Sequence, residues 1–341
     1  MPPTRGRASR DKTREGVSRP RGLRSRSARR SPGRRLCSSF RGVPPLPRFP
    51  AVPDSPYLIA RRERAASPET AEPAVVEPGP GQRWSTWRSV AKGQRGPEPR
   101  PGWLVTSDAA LDTELGILKT GKEADAFLIE RAVPGSPRAC LLVAKRYRAR
   151  EHTTFRRDGD YTAGRRSRRT RDQRAVEDRR SRWGRAVAAT QWADAEFVAM
   201  TAAWEAGAPV PYPAQIDGTE VLMEFVGDTD PDSGEVVAAP RLARERPDAD
   251  LLESYWEQLV AGMSVLARLG YAHGDLSPYN VLAHGERLVI IDLPQVVDLA
   301  SNPFASEILL RDCRTMCAWF SSRGLEADPE ELFADLLAQA W

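Results

Sequence analysis

Between Tyr271 and Gln295 the sequence reads YAHGDLSPYNVLAHGERLVIIDLPQ, and the reading of this stretch decides the fold. It holds two of the chain's three histidines and two isolated aspartates, Asp275 and Asp292. The run Leu288 to Ile291 is short, apolar and β-branched, which predicts a strand ending at Asp292. Val281 and Leu282, before the turn at HGE, predict its hairpin partner. A helix ending at Gly270 precedes the polar turn that carries Asp275 and Asn280. A hairpin of this size can bring Asp275, Asn280 and Asp292 to one mouth. Two carboxylates and an amide oxygen there form a hard, oxygen-rich site suited to Mg2+ with phosphate. Turn capping alone would also account for Asp275 and Asn280.

Working upstream, a phosphate-handling site needs a fixed cation. Lys145 ends the apolar run LLVAK as a strand lysine. A carboxylate is needed to hold it, and Glu196 sits among apolar neighbours in WADAEF. The turn KTGKEADAF between two strand-like runs offers Thr120 as a hydroxyl, Gly121 and its neighbouring backbone amides, and Lys122 as extra charge. It is not the pattern G-x-G-x-x-G. The spacing D-L-x-x-x-N followed by strand–Asp is that of the catalytic and metal parts of kinase-like phosphotransferases.

The rest of the chain fits around these pieces. Residues 1–100 are rich in Pro, Arg, Ser and Gly without periodicity and read as a disordered tail. The runs LGILKT, ADAFLIE and CLLVAKRY predict antiparallel strands. TQWADAEFVAMTAAWEAG predicts a helix stopped by Gly207, EVLMEFVG a further strand, and SYWEQLVAGMSVLARLG an amphipathic helix. Two short helices are expected after Phe304. The chain carries +5 overall, yet residues 1–35 hold 13 Lys/Arg against 2 acids and residues 146–185 hold 15 Arg against 6. The remainder is therefore acidic, and the two basic segments are expected to meet ribosomal RNA or another polyanion. Four cysteines form no disulfide framework, and Cys313 and Cys317 read as core residues. Arg41 and several prolines interrupt any apolar signal core, and no run is long and apolar enough for a membrane span. A cytoplasmic protein without a membrane partner is expected.

The segments TGKEADAF, LLVAKRY, FRRDGDYTAGRR, VLMEFVG, HGDLSPYNVL, IIDLPQVVD and NPFASEILLRDC, taken in order, resemble the RIO family of atypical serine/threonine protein kinases. The match fits the branch without an N-terminal winged helix, and the Arg- and Ala-rich composition points to a bacterial type. The resemblance implies an α+β, two-lobed kinase-like fold. Its N-lobe would be an antiparallel sheet with one main helix, and its C-lobe a reduced, mainly helical unit. The N-lobe and hinge would span 101–226, with a flexible arginine-rich insertion at 146–185, and the C-lobe 227–341. Lys145 would hold the ATP phosphates, oriented by Glu196. Asp275 would be the catalytic aspartate, with Asn280 and Asp292 on Mg2+, or Mn2+ in its place. Thr120, Gly121, Lys122 and Glu123 would form the phosphate loop, and the backbone of Glu224 and Val226 would meet adenine beside Met223. The implied activity is ATP-dependent autophosphorylation or ATP hydrolysis, acting on a protein substrate and linked to ribosome assembly.

The sequence departs from that pattern at Lys119 and Pro294, where the family usually has Ser, and at Pro278, usually acidic. The loop reads His-Gly-Asp, so Gly274 cannot pair with a phosphorylated activation loop. The 49 residues after Asp292 lead us to expect no helical platform for peptide substrates. Two other classes stay open on the residues alone. One is a small-molecule phosphotransferase of the aminoglycoside or choline kinase type, disfavoured by TGKEADAF and FRRDGDYTAG. The other is a non-catalytic nucleotide-sensing module docking on RNA, which would not need Lys145, Glu196, Asp275, Asn280 and Asp292 together.

Overall fold

The computed structural model describes residues 77–148, 182–230 and 234–340. The expected tail up to residue 76 and the bulk of the arginine-rich insertion, residues 149–181, lie outside the described residues. Order begins before the expected boundary at residue 101. Strand β1, Gln82–Trp84, pairs antiparallel with β2, Leu111–Thr120. Trp87 and Val90 are buried, and the guanidiniums of Arg95 and Arg100 lie over the Trp87 ring. The prolines and arginines of this stretch conceal tryptophans that anchor it, which composition alone does not reveal.

The N-terminal lobe continues with β3, Ala124–Ala132, and β4, Ala139–Tyr147. Helix α1, Arg182–Glu205, follows, then β5, Pro213–Asp217, and β6, Glu220–Glu224. The sheet order is β1-β2-β3-β4-β6-β5, every pair antiparallel. β4 lies inside this order, and its run ACLLVAKRY is apolar on both faces accordingly. On α1 the buried Ala193, Phe197, Met200 and Ala203 recur at helical spacing and pack into the larger core. Gly207 follows the helix with φ 83°, the left-handed conformation that ends it. Strand β5 carries no periodic mark in the sequence, and its buried Gln215 accepts a hydrogen bond from the fully buried Arg131. Arg131 also makes a two-pronged ion pair with Asp112, so the polar groups inside this sheet partner one another.

A small hairpin, β7 Gly227–Thr229 with β8 Val236–Ala238, leads into the C-terminal lobe. Helix α2, Ala249–Arg268, starts at Asp248, whose side chain accepts from the Leu251 N–H at 3.0 Å. Its buried face, including Leu252, Tyr255, Leu259, Met263 and Leu266, packs on the hairpin and the last helices. At Gly262 an added Cβ would come within 2.9 Å of Ile290 and 3.0 Å of Pro209, so glycine lets α2 sit close to the hairpin. Strand β9, Tyr271–Ala272, pairs with β12, Val297–Asp298. Between them lies the hairpin of β10, Val281–His284, and β11, Arg287–Ile290. Helices α3, Ala305–Ser321, and α4, Pro329–Gln339, close the lobe as expected. Cys313 and Cys317 are buried free thiols in its core. The architecture is the α+β, two-lobed arrangement of a sheet lobe with one main helix and a small helical lobe.

Candidate active site

The side chains of the candidate site come from four places. β4 carries Lys145 one turn of the pleat before Tyr147, and α1 carries Glu196 on its buried stripe. Lys145 Nζ donates to Glu196 Oε1 at 2.6 Å and to Asp292 Oδ1 at 2.6 Å. Tyr147 Oη donates to the other Glu196 oxygen at 2.6 Å. Burial opposes the charge on Lys145, but the two carboxylates outweigh it and raise its pKa above the ordinary lysine value. Asp292 resists burial in the same way, held below the usual carboxylate range by Lys145. Both members of that pair are charged. Burial raises the Glu196 carboxyl, and Lys145 and Tyr147 oppose the rise.

Asp292 does not end the strand as expected. It stands two residues beyond β11 with φ 71°, the sole described residue other than glycine with positive φ. Aspartate tolerates this conformation better than most side chains. The twist turns the carboxylate back to Lys145. Its side chain keeps about a third of its surface exposed, at 35%, whereas that of Glu196 keeps 2%. The Ile291 N–H meanwhile bonds the Asn280 carbonyl at 3.0 Å, tying the two turns together.

Asp275 is exposed between buried neighbours, Gly274 and Leu276. Asn280 Nδ2 donates to the Asp275 carbonyl at 2.8 Å and lies 3.4 Å from its carboxylate. With its nitrogen so engaged, the Asn280 amide presents its oxygen as the remaining group. His273, to which the sequence assigned no role, is buried and braces the same turn. Its Nδ1 accepts from the Asp275 N–H at 3.3 Å, so Nε2 carries the proton and donates to the Ile291 carbonyl at 3.0 Å. Burial lowers its pKa, which keeps the ring neutral.

Asp312 is a second brace that sequence reasoning missed. From α3 its two carboxylate oxygens accept the N–H groups of Gly274 at 2.8 Å and Leu276 at 3.1 Å. Arg311 donates to the Gly274 carbonyl. Burial pushes the Asp312 carboxyl up to about 7, against the lowering pull of those two N–H donors. The signal was present in ILLRDC, as an aspartate between Arg311 and Cys313 in an otherwise apolar helical run.

Thr120, Gly121, Lys122 and Glu123 form the turn between β2 and β3. The Gly121 N–H closes on the Ala124 carbonyl at 3.0 Å, and a Cβ there would stand 2.7 Å from that oxygen. Arg148, just past β4, bonds the Gly121 carbonyl and takes the Glu123 carbonyl with its own N–H at 2.9 Å, which fastens the turn to the lysine strand. Met223 is buried in the core at the end of β6. The Glu224 side chain accepts the Tyr212 N–H at 3.0 Å, and the Glu224 N–H donates to the Tyr212 carbonyl at 2.9 Å. The Val226 carbonyl accepts from Ala239 at 3.0 Å.

The expected metal-ligand set is short. Among the described residues no three or more His, Cys, Asp or Glu side chains form a metal cage. Mg2+ shared with a nucleotide needs only one or two protein oxygens, and the ionised Asp292 with the Asn280 amide oxygen fits that requirement.

The comparisons with known proteins meet this geometry. A model of the RIO domain matches residues 143–332. The RIO-type serine/threonine-protein kinase Rio1 of Haloferax volcanii is 31% identical over 231 residues, covering 68% of this chain and 71% of that protein. Rio1 of Thermoplasma acidophilum is 31% identical over 141 residues, covering 41% of this chain and 69% of that one. Among solved structures, Rio2 kinase of Chaetomium thermophilum in an ADP/Mg2+-phosphoaspartate complex has a TM-score of 0.46 at 23% identity, over 66% of this chain and 62% of that one. The domain match takes in Lys145, Glu196, Asp275, Asn280 and Asp292, and the chain belongs to the RIO family of serine/threonine-protein kinases.

Proposed function

We propose that the site binds ATP with Mg2+ and transfers the terminal phosphoryl group to a protein hydroxyl, in the first instance on the chain itself, or to water. The observation that carries the reading is Lys145 Nζ standing 2.6 Å from both Glu196 and Asp292. Glu196 and Tyr147 fix the lysine so that its charge faces the nucleotide phosphates. Asp292 and Asn280 would hold Mg2+, which supplies charge neutralisation between the phosphate oxygens. Asp275 accepts the proton of the attacking hydroxyl from its exposed position on a braced turn. The backbone amides of Thr120 to Glu123 cover the phosphates, and the backbone of Glu224 and Val226 meets adenine against Met223.

Three wider assignments rest on sequence. The arginine-rich segments fit ribosomal RNA or another polyanion. The buried free thiols Cys140, Cys313 and Cys317 fit a reducing cytoplasm. Among the described residues no helix is long and apolar enough to cross a membrane.

The test is to incubate the purified full chain with γ-labelled ATP and Mg2+, with and without ribosomal subunits, and follow phosphoprotein and free phosphate. Lys145→Ala and Asp292→Ala are each expected to abolish both products while the far-UV spectrum and unfolding midpoint stay close to wild type. Wild-type turnover in either variant overturns the assignment.

A further inference from the structure

The core of the site has a charge problem. Lys145 brings one positive charge to a place shared with three carboxylates, Glu196, Asp275 and Asp292. Mg2+ held by Asp292 and Asn280 would offset part of this charge, but a triphosphate brings more negative charge than a diphosphate, and further cations facing the site would favour it.

The sheet register supplies the first. Lys119 on β2 stands opposite Ala126 on β3, and Ala126 stands opposite Lys145 on β4. Residues directly opposed in antiparallel strands point to the same face. Lys119 therefore projects from the face that sends Lys145 to Asp292. Two strand spacings separate the lysine backbones, about 10 Å. The residue between them is alanine, too small to screen one ammonium from the other. Among the described residues Lys119 makes no hydrogen bond and no ion pair. It lies within electrostatic reach of both Asp292 and Asp275, the two carboxylates at the point of transfer.

The second comes from the other lobe. Arg241 follows β8, bridges to Leu282 of β10, and donates through Nη1 to the Tyr279 carbonyl at 2.9 Å in the Asp275–Asn280 turn. It has no carboxylate at ion-pair distance among the described residues. Asp292 acts on it electrostatically, and it acts on Lys119. Partial desolvation lowers the pKa of both cations, joined at Lys119 by the charge of Arg241, and the pull of Asp292 does not offset it.

We propose that Lys119 and Arg241 form a clamp, one cation from each lobe, on the terminal phosphate of the bound nucleotide, and that this clamp sets the preference for a triphosphate over a diphosphate. The inference rests on the ATP-site reading. Lys145 serves the inner phosphates, while the clamp meets charge that ADP lacks. Asp292 relieves their mutual repulsion only in part, and an anion between them relieves more, so the third phosphate draws the two cations onto itself.

The experiment measures binding of Mg2+-ADP and of the non-hydrolysable imido analogue of ATP by calorimetry on the full chain. It compares wild type, Lys119→Ser, Lys119→Arg and Arg241→Gln, and adds single-turnover transfer from ATP. Lys119→Ser is expected to weaken the triphosphate analogue about tenfold, equivalent to ~1.4 kcal/mol, with ADP affinity changed by no more than about twofold. Transfer falls at least as much, and Lys119→Arg restores most of both. Arg241→Gln shows the same selectivity for the triphosphate, with its urea midpoint checking that the turn at Tyr279 is intact. Equal losses for ADP and the analogue, or no loss in either, overturn the clamp while leaving the nucleotide site standing. Failure of wild type to bind either nucleotide removes the site reading and the clamp with it.

Discussion

Replacing Asp312 with alanine isolates what the brace on the catalytic turn is worth. The carboxylate is 1% exposed and accepts two backbone N–H groups, at 2.8 and 3.1 Å, from Gly274 and Leu276, both of them buried. Its removal strips Gly274 and Leu276 N–H of that acceptor. Each buried donor left without an acceptor costs about 1–3 kcal/mol. The burial penalty of the carboxyl itself disappears with it and offsets part of this. A net loss of about 3 kcal/mol is expected, which for a domain of this size lowers Tm by roughly 6–12 °C. The turn also loosens, so Asp275 loses its aim. Turnover should fall by about two orders of magnitude, the scale set by misplacing a catalytic group. Nucleotide affinity should hold within about threefold, because Lys145, Glu196 and Asp292 are untouched. Asp312→Asn separates charge from shape. With the wild-type carboxyl at about 7 against 3.8 unfolded, the folded chain holds a proton that the unfolded chain releases between those values. This group's stabilisation is therefore complete below pH 3.8 and is lost as pH rises to about 7. The asparagine variant should lack that slope. Urea unfolding across pH 4–7, paired with turnover and ADP binding, reads all of these. A Tm within 2 °C of wild type in Asp312→Ala, or affinity falling in step with rate, would refute the brace.

Two further outcomes follow from the same geometry. Asp275→Asn should cut kcat by orders of magnitude with ATP affinity nearly unchanged; matched losses in steady-state and binding measurements would make Asp275 a binding residue. Gly121→Ala should raise KM for ATP at least tenfold with little change in melting temperature, because its Cβ would press within 2.7 Å of the Ala124 carbonyl and displace the turn that Arg148 fastens to the lysine strand; an unchanged KM would separate this turn from phosphate binding.

The legible parts of this chain were those written as local patterns. The strands on either side of KTGKEADAF, the stop at Gly207 and the stripe on α2 follow from period and punctuation, and the structure has them. β5 escaped because its polar Gln215 and the prolines at its start look like a loop; only the distant Arg131 makes a buried glutamine sensible there. β1 escaped because two tryptophans were outweighed by the composition around them. At the site, Asp292 was legible as a lone charge after an apolar run, Asp275 by its D-L-x-x-x-N spacing, and Glu196 as a charge among apolar neighbours. The supports were not. His273 reaches Ile291 across 18 residues, and Asp312 reaches Gly274 across 38, distances at which sequence carries no periodic signal. The left-handed turn at Asp292 was hidden too, since LVIID reads as an unbroken strand.

Lys145 contacts two carboxylates, and their burial sets them apart. Glu196 is 1% exposed, and both its oxygens are engaged, one by Lys145 and one by Tyr147. A carboxylate so enclosed has no lone pair directed at a ligand, and it acts by fixing the lysine. Asp292 is on the open side, with one oxygen on Lys145 and a side chain about a third exposed at 35%. The residue carrying it is the sole described non-glycine with positive φ, at 71°. One sheet, one helix and one strained turn thus divide a single ion-pair triad into a fixed half and a working half. The lysine strand has paired neighbours on both sides, which fixes the Lys145 backbone between the enclosed Glu196 and the partly exposed Asp292.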